Sequence, residues 1–139
     1  AEFQDYAATV VRNAQALSAA LNERGMRPVS GGTDTHLALL DLRSLDVTGA
    51  EAEVSCDAAR ITLNKNAIPY DPQPPAIASG IRVGTPSITT QGMREEQMPQ
   101  VAELIYRAVV DPGATAQVAE GATDLVAAFP AYAETKATV

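Results

Sequence analysis

The stretch "MRPVSGGTDTHLALLDLR", Met26 to Arg43, decides how the rest of the chain is read. "MRPVS" has the residues of a short strand, but Pro28 has no N–H for a central ladder, so the strand belongs at a sheet edge. "GGTDT" reads as a tight turn, since glycine takes positive φ without steric penalty. "HLALLDLR" is short and nearly all apolar, the pattern of a strand buried on both faces or close to it. An edge strand, a turn and a buried strand therefore start a sheet.

Helices flank this start. Phe3, Tyr6, Val10, Ala14, Leu17 and Leu21 recur at three- and four-residue steps, one face of an amphipathic helix of about six turns. Gly25 is placed to stop it, and Arg24 suits the negative end of the helix dipole. Downstream, Thr48 and Glu51 have capping-box spacing and predict a short helix. "RITLNKN", 60 to 66, alternates with Ile61 and Leu63 on one face. "AIPYDPQPPAIA", 67 to 78, has four prolines in twelve residues and predicts an extended loop with little backbone pairing. "GIRVGT", 80 to 85, is the next strand. "REEQMPQVAELIYRAVVD" predicts a helix with Met98, Val101, Ala102, Ile105 and Val109 inward and Pro99 in its first turn. A last helix is expected over Ala114 to Phe129, ended by Pro130, with a frayed tail over 130–139. The fold class is α+β: a small antiparallel or mixed sheet covered by helices on one face.

Composition narrows the function. The chain has 139 residues, enough for one domain that buries about two-thirds of its unfolded surface. The formal net charge of −7 argues against nucleic acid as a partner, because no basic field exists to displace counterions. One cysteine, Cys56, allows no internal disulfide and fits a reducing compartment. No apolar run approaches the roughly 20 residues that cross a membrane. The lone His36 and Cys56 cannot make a zinc site of ordinary spacing. His36 reads as a structural residue beside a turn and Cys56 as a small core residue.

Two features stand out. Arg82 shares its strand face with Gly80 and Gly84, where missing side chains let a ligand or another backbone approach. A guanidinium in such a gap offers a planar fork that matches a carboxylate. The alternatives are an arginine on the open face of an edge strand, or one paired to an acid of its own domain. The second feature is "NKN", Asn64 to Asn66. Its amides can cap a turn, or present paired donors and acceptors to a heteroaromatic ring.

"VSGGTDTHLALLDLR", "TGAEAE", "ITLNKNAIPYD" and "SGIRVGTPSITTQGM" occur in the order and spacing found in serine hydroxymethyltransferases. The chain resembles the C-terminal small domain of these pyridoxal-phosphate enzymes, from Tyr6 to about Tyr132. The resemblance implies interconversion of serine and glycine with tetrahydrofolate as one-carbon acceptor, in a cytoplasmic homodimer. It implies that Arg82 binds the carboxylate of the amino-acid substrate, holding the reacting bond perpendicular to the cofactor ring. It places Asn66 against the pteridine of tetrahydrofolate, and Pro74, Pro75 and Ala76 along the folate site. Two stretches depart from the family pattern. The family commonly has Ser-Pro-Phe where this chain has "PPA", and "TTRG" where it has "TTQG".

The family's Schiff-base lysine lies in a Thr- and His-rich segment that nothing here resembles, and neither Lys65 nor Lys136 has its context. The resemblance therefore assigns the catalytic lysine and the cofactor to a large domain. It casts 1–24 as a linking helix and predicts that this domain alone is inactive. Phe3 and Tyr6 are expected on the surface that packs on the large domain, so the isolated domain should self-associate or be only marginally stable. Two other readings stay open: a folate-independent aldolase or transaldolase for β-hydroxy amino acids, and a non-catalytic binding domain.

Overall fold

The computed structural model describes residues 2–129, so the tail at 130–139, and Pro130 as a helix stop, lie outside the described residues. The long apolar stripe at the start forms α1, Glu2–Glu23. Val10, Ala14, Leu17 and Leu21 are buried along it, whereas Phe3, at its outer end, stays 78% exposed. Gly25 ends the helix at φ +90. The Met26 N–H donates to Leu21 O at 3.0 Å and the Gly25 N–H to Asn22 O at 3.1 Å. These are the paired bonds of a Schellman stop, with Leu21 and Met26 both fully buried across it. Arg24 Nη1 donates to Ala20 O at 2.8 Å and so satisfies one of the last free carbonyls.

Four strands follow: β1 (Arg27–Pro28), β2 (Leu37–Asp41), β3 (Asn64–Asn66) and β4 (Gly80–Gly84). They form one antiparallel sheet in the order β1-β2-β4-β3. The proline strand lies at the edge, as expected. Ala38, Leu40, Ile81 and Val83 turn to the buried face. The expected strand over 60–66 shortens to Asn64–Asn66. Arg60 takes φ +67, a left-handed conformation that breaks the extended chain just before Ile61.

The second helix, α2, spans Gly49–Ala58 and has the predicted capping box. The Glu51 N–H donates to Thr48 Oγ1 at 3.2 Å, and the Thr48 N–H to Glu51 Oε1 at 3.1 Å. Such a cap contributes about 1 kcal/mol. Cys56 is fully buried in this helix, and burial pushes its thiol up to about 12, so it is an inert core residue.

A five-residue helix, α3 (Pro86–Thr90), corrects the sequence reading, which left this segment without one. It is too short to show a period, and Thr and Ser are weak helix formers. Polar contacts from α1 hold it in place. Tyr6 Oη donates to Pro86 O at 3.1 Å, and Asn13 Nδ2 donates to Thr89 Oγ1 at 2.9 Å and to Met93 O at 3.0 Å. Tyr6 thus ties α1 to α3 by its hydroxyl while its ring stays partly exposed, and its stripe neighbour Phe3 faces outward. The last two helices, α4 (Met98–Val110) and α5 (Thr115–Ala128), pack beside α1 and α2 on the buried face of the sheet. Pro99 lies in the first turn of α4, as expected.

Candidate functional site

The register fixes which side chains share the open face of the sheet. Arg82 stands directly between Leu39 of β2 and Asn64 of β3, and Gly80 between Asp41 and Asn66. Directly paired residues point the same way, so these residues lie on one surface. There Arg82 and Asn66 line a single groove of about 340 Å³. Its opposite rim is the turn Ser30–Thr35, including Thr33 and Asp34. That turn is held by its own hydroxyls: the Thr35 N–H donates to Thr33 Oγ1 at 3.1 Å and the Leu37 N–H to Thr35 Oγ1 at 3.2 Å.

Among the described residues neither bland reading of Arg82 holds. β4 is an interior strand, flanked by β2 and β3, so Arg82 is not on an edge. Among the described residues the ion pairs involve Arg12, Arg24, Arg27, Arg43 and Lys65, and Arg82 joins none of them. Its guanidinium is exposed in the groove.

The reasoning from glycine spacing needs correction. A Cβ at Gly80 would sit 2.7 Å from Leu40 O and 2.8 Å from Ile68 Cγ2, and one at Gly84 would sit 2.9 Å from Leu37 Cδ2. Both gaps are filled by the domain's own atoms. The space before Arg82 comes instead from the arched 30–35 turn.

The structure separates the folate-side candidates. Asn66 is half-buried in the groove, with Nδ2 donating to Ala67 O at 2.9 Å. Pro74, Pro75 and Ala76 are exposed and do not line the groove. Their loop is more tightly fixed than its prolines suggested. Asp71 accepts from the N–H groups of Ile68 (3.1 Å), Gln73 (2.8 Å) and Ser79 (2.8 Å), and from Ser79 Oγ at 2.6 Å. Partial burial works against its charge, but the Ser79 hydroxyl and these N–H groups bring its carboxyl down to about 2. An aspartate before a proline, with a backbone N–H two residues on, is the one sequence signal that could have revealed this. His36 is exposed, and its part in the fold is its carbonyl, which accepts the Thr85 N–H at 3.2 Å.

A second polar centre escaped the sequence reading. Asp41, whose side chain is 5% exposed, accepts from Arg43 Nη2 at 2.8 Å and Arg27 Nη2 at 2.7 Å. The Arg43 guanidinium, outweighing the burial that opposes it, holds the carboxyl at about 2. Its folded value is below the ordinary aspartate value of 3.8, so the stabilisation is full above about pH 4 and is lost as pH falls through 2. That shift is worth on the order of 2 kcal/mol. Acid titration of unfolding should therefore show stability falling between pH 4 and 2, with a shallower fall in Asp41→Asn. Equal slopes for both proteins would contradict the assignment.

Among the described residues, no group of three His, Cys, Asp or Glu is placed to hold a metal, and no helix is long and apolar enough to cross a membrane. The family model for serine hydroxymethyltransferase matches residues 1–105, which include all four strands and the whole groove. The chain belongs to the serine hydroxymethyltransferase family.

The family's cofactor, pyridoxal phosphate, is held by a lysine amine, and no lysine is among the described residues that line the groove. Lys65 pairs with Ile81 and so belongs to the other face of the sheet, with Nζ 3.6 Å from Glu53 Oε1. Lys136 lies outside the described residues. Among the described residues, then, the groove presents the Arg82 guanidinium and no amine. Gln91, the "TTQG" departure, faces away from the groove and lines a different cavity.

Proposed function

We propose that this chain is the C-terminal small domain of a serine hydroxymethyltransferase and supplies its substrate-carboxylate contact. The complete enzyme converts serine and tetrahydrofolate into glycine, methylenetetrahydrofolate and water, as a cytoplasmic homodimer. The observation that carries this reading is a guanidinium on an interior strand, without an ion-pair partner among the described residues, in one groove with Asn66, in a chain of this family. Arg82 grips the carboxylate through two parallel N–H···O bonds and so fixes the torsion about the substrate Cα. Asn66 hydrogen-bonds the folate pteridine, and Pro74, Pro75 and Ala76 flank the folate. Catalytic lysine and cofactor belong to a large domain, so the small domain alone turns over no serine.

A second reading, a folate-independent aldolase acting on β-hydroxy amino acids, draws on the missing aromatic and the exposed position of Pro74–Ala76. Asn66→Ala in the complete enzyme separates the two. We expect a KM for tetrahydrofolate raised about tenfold, the loss of one hydrogen bond of about 1.4 kcal/mol, with serine KM within twofold. Serine turnover indifferent to tetrahydrofolate in the unmodified enzyme would favour the aldolase.

A further inference from the structure

The Arg82 groove carries both signs of charge. Among the described residues that line it, Arg82 is the one cation and Asp34 the one anion. Both residues are exposed, and neither joins an ion pair among the described residues. Opposite charges that share a space of about 340 Å³ attract one another, yet these two do not close. The turn keeps them apart. Asp34 lies between Thr33 and Thr35, and both are pinned by the hydroxyl bonds of the turn, to which Thr35 Oγ1 adds a donation to Leu37 O at 3.2 Å. The segment that carries the carboxylate is thereby held on the far rim.

A cation and an anion kept apart across one groove match a ligand that carries both charges. An α-amino acid at neutral pH is the smallest common example, with a carboxylate and an ammonium on one carbon. A simple carboxylate satisfies Arg82 but leaves Asp34 facing a like charge. A simple amine satisfies Asp34 but meets the Arg82 guanidinium. Leu37 and Leu39 of β2, both half-buried, also line the groove and give the Cα and a small side chain an apolar surface.

We infer that Asp34 determines specificity in this groove: it takes the ammonium of a free amino acid while Arg82 takes the carboxylate. The groove selects the zwitterion by these two contacts, before any covalent step. The inference rests on the carboxylate reading of Arg82 and adds the second contact.

Two-dimensional NMR of the 139-residue chain tests it, with glycine and acetate as probes. Glycine should shift the Arg82 Nε–H and the Asp34 amide resonances along one binding curve, whereas acetate should shift Arg82 alone. Asp34→Asn should weaken glycine about fivefold, the worth of one exposed ion pair, without weakening acetate. Asp34→Glu should retain most of the glycine affinity. In the complete enzyme, Asp34→Asn should raise KM for serine by about the same fivefold at unchanged kcat. Glycine binding that is unchanged or tighter in Asp34→Asn overturns the inference; acetate shifts at Arg82 would then leave the carboxylate reading standing. Silence from glycine and acetate alike also overturns it, and the kinetics of Arg82→Ala then decide the carboxylate reading by themselves. If the variant chain does not fold, serine KM in the complete enzyme decides, and an unchanged value overturns the inference.

Discussion

Arg82→Ala lowers kcat/KM for serine in the complete enzyme by roughly 30-fold to 5,000-fold. The range corresponds to about 2–5 kcal/mol for removing one partner of a buried, charge-assisted pair. The domain itself should be untouched. The side chain is exposed and joins none of the ion pairs among the described residues, so thermal unfolding should shift by no more than about 0.5 kcal/mol. This split between activity and stability is the test. Arg82→Lys should recover only part of the activity, because an ammonium keeps the charge but loses the planar fork. A variant with normal kcat/KM, or one whose loss follows a fall in melting temperature, would remove Arg82 from the substrate site.

Gly49→Ala is expected to do the opposite: large damage to folding, with no side chain of the groove substituted. Gly49 opens α2, and its N–H donates to Ala78 O at 2.9 Å. A Cβ there would lie 2.3 Å from Gly80 O and 3.1 Å from the Lys65 Cβ. Backbone cannot yield as a side-chain tip can, so either α2 or β4 must move. The expected cost is about 3 kcal/mol, the upper end for overpacking. Gly32→Ala is the control: nothing lies within 4 Å of its Cβ position, and its stability should stay within about 0.5 kcal/mol of the parent. Equal melting temperatures for both variants would show that the helix–strand contact at Gly49 is looser than described.

Local chemistry made much of the fold legible. The α1 stripe, the Gly25 stop, the Thr48–Glu51 cap, Pro99 in the first turn of α4 and the edge position of β1 each follow from residues within a few positions of one another. The period of a helix or the missing N–H of a proline does not depend on distant contacts. α3 was hidden because its place is set by Tyr6 and Asn13, some eighty residues away. The Asp41 centre was hidden for a related reason. Arg43 is adjacent in sequence, but Arg27 reaches it only through the β1–β2 register.

The groove divides along the same line. By itself the sequence determined that an arginine and an asparagine end up on short strands, in the setting of one enzyme family. Only the tertiary structure decided that β4 is interior, that the glycine gaps are filled by Ile68 and Leu37, and that Arg82 and Asn66 open into one space while Pro74–Ala76 do not. Side-chain alternation is a property of one strand, whereas a neighbour's identity and the room beside it depend on strand order, which long-range packing sets.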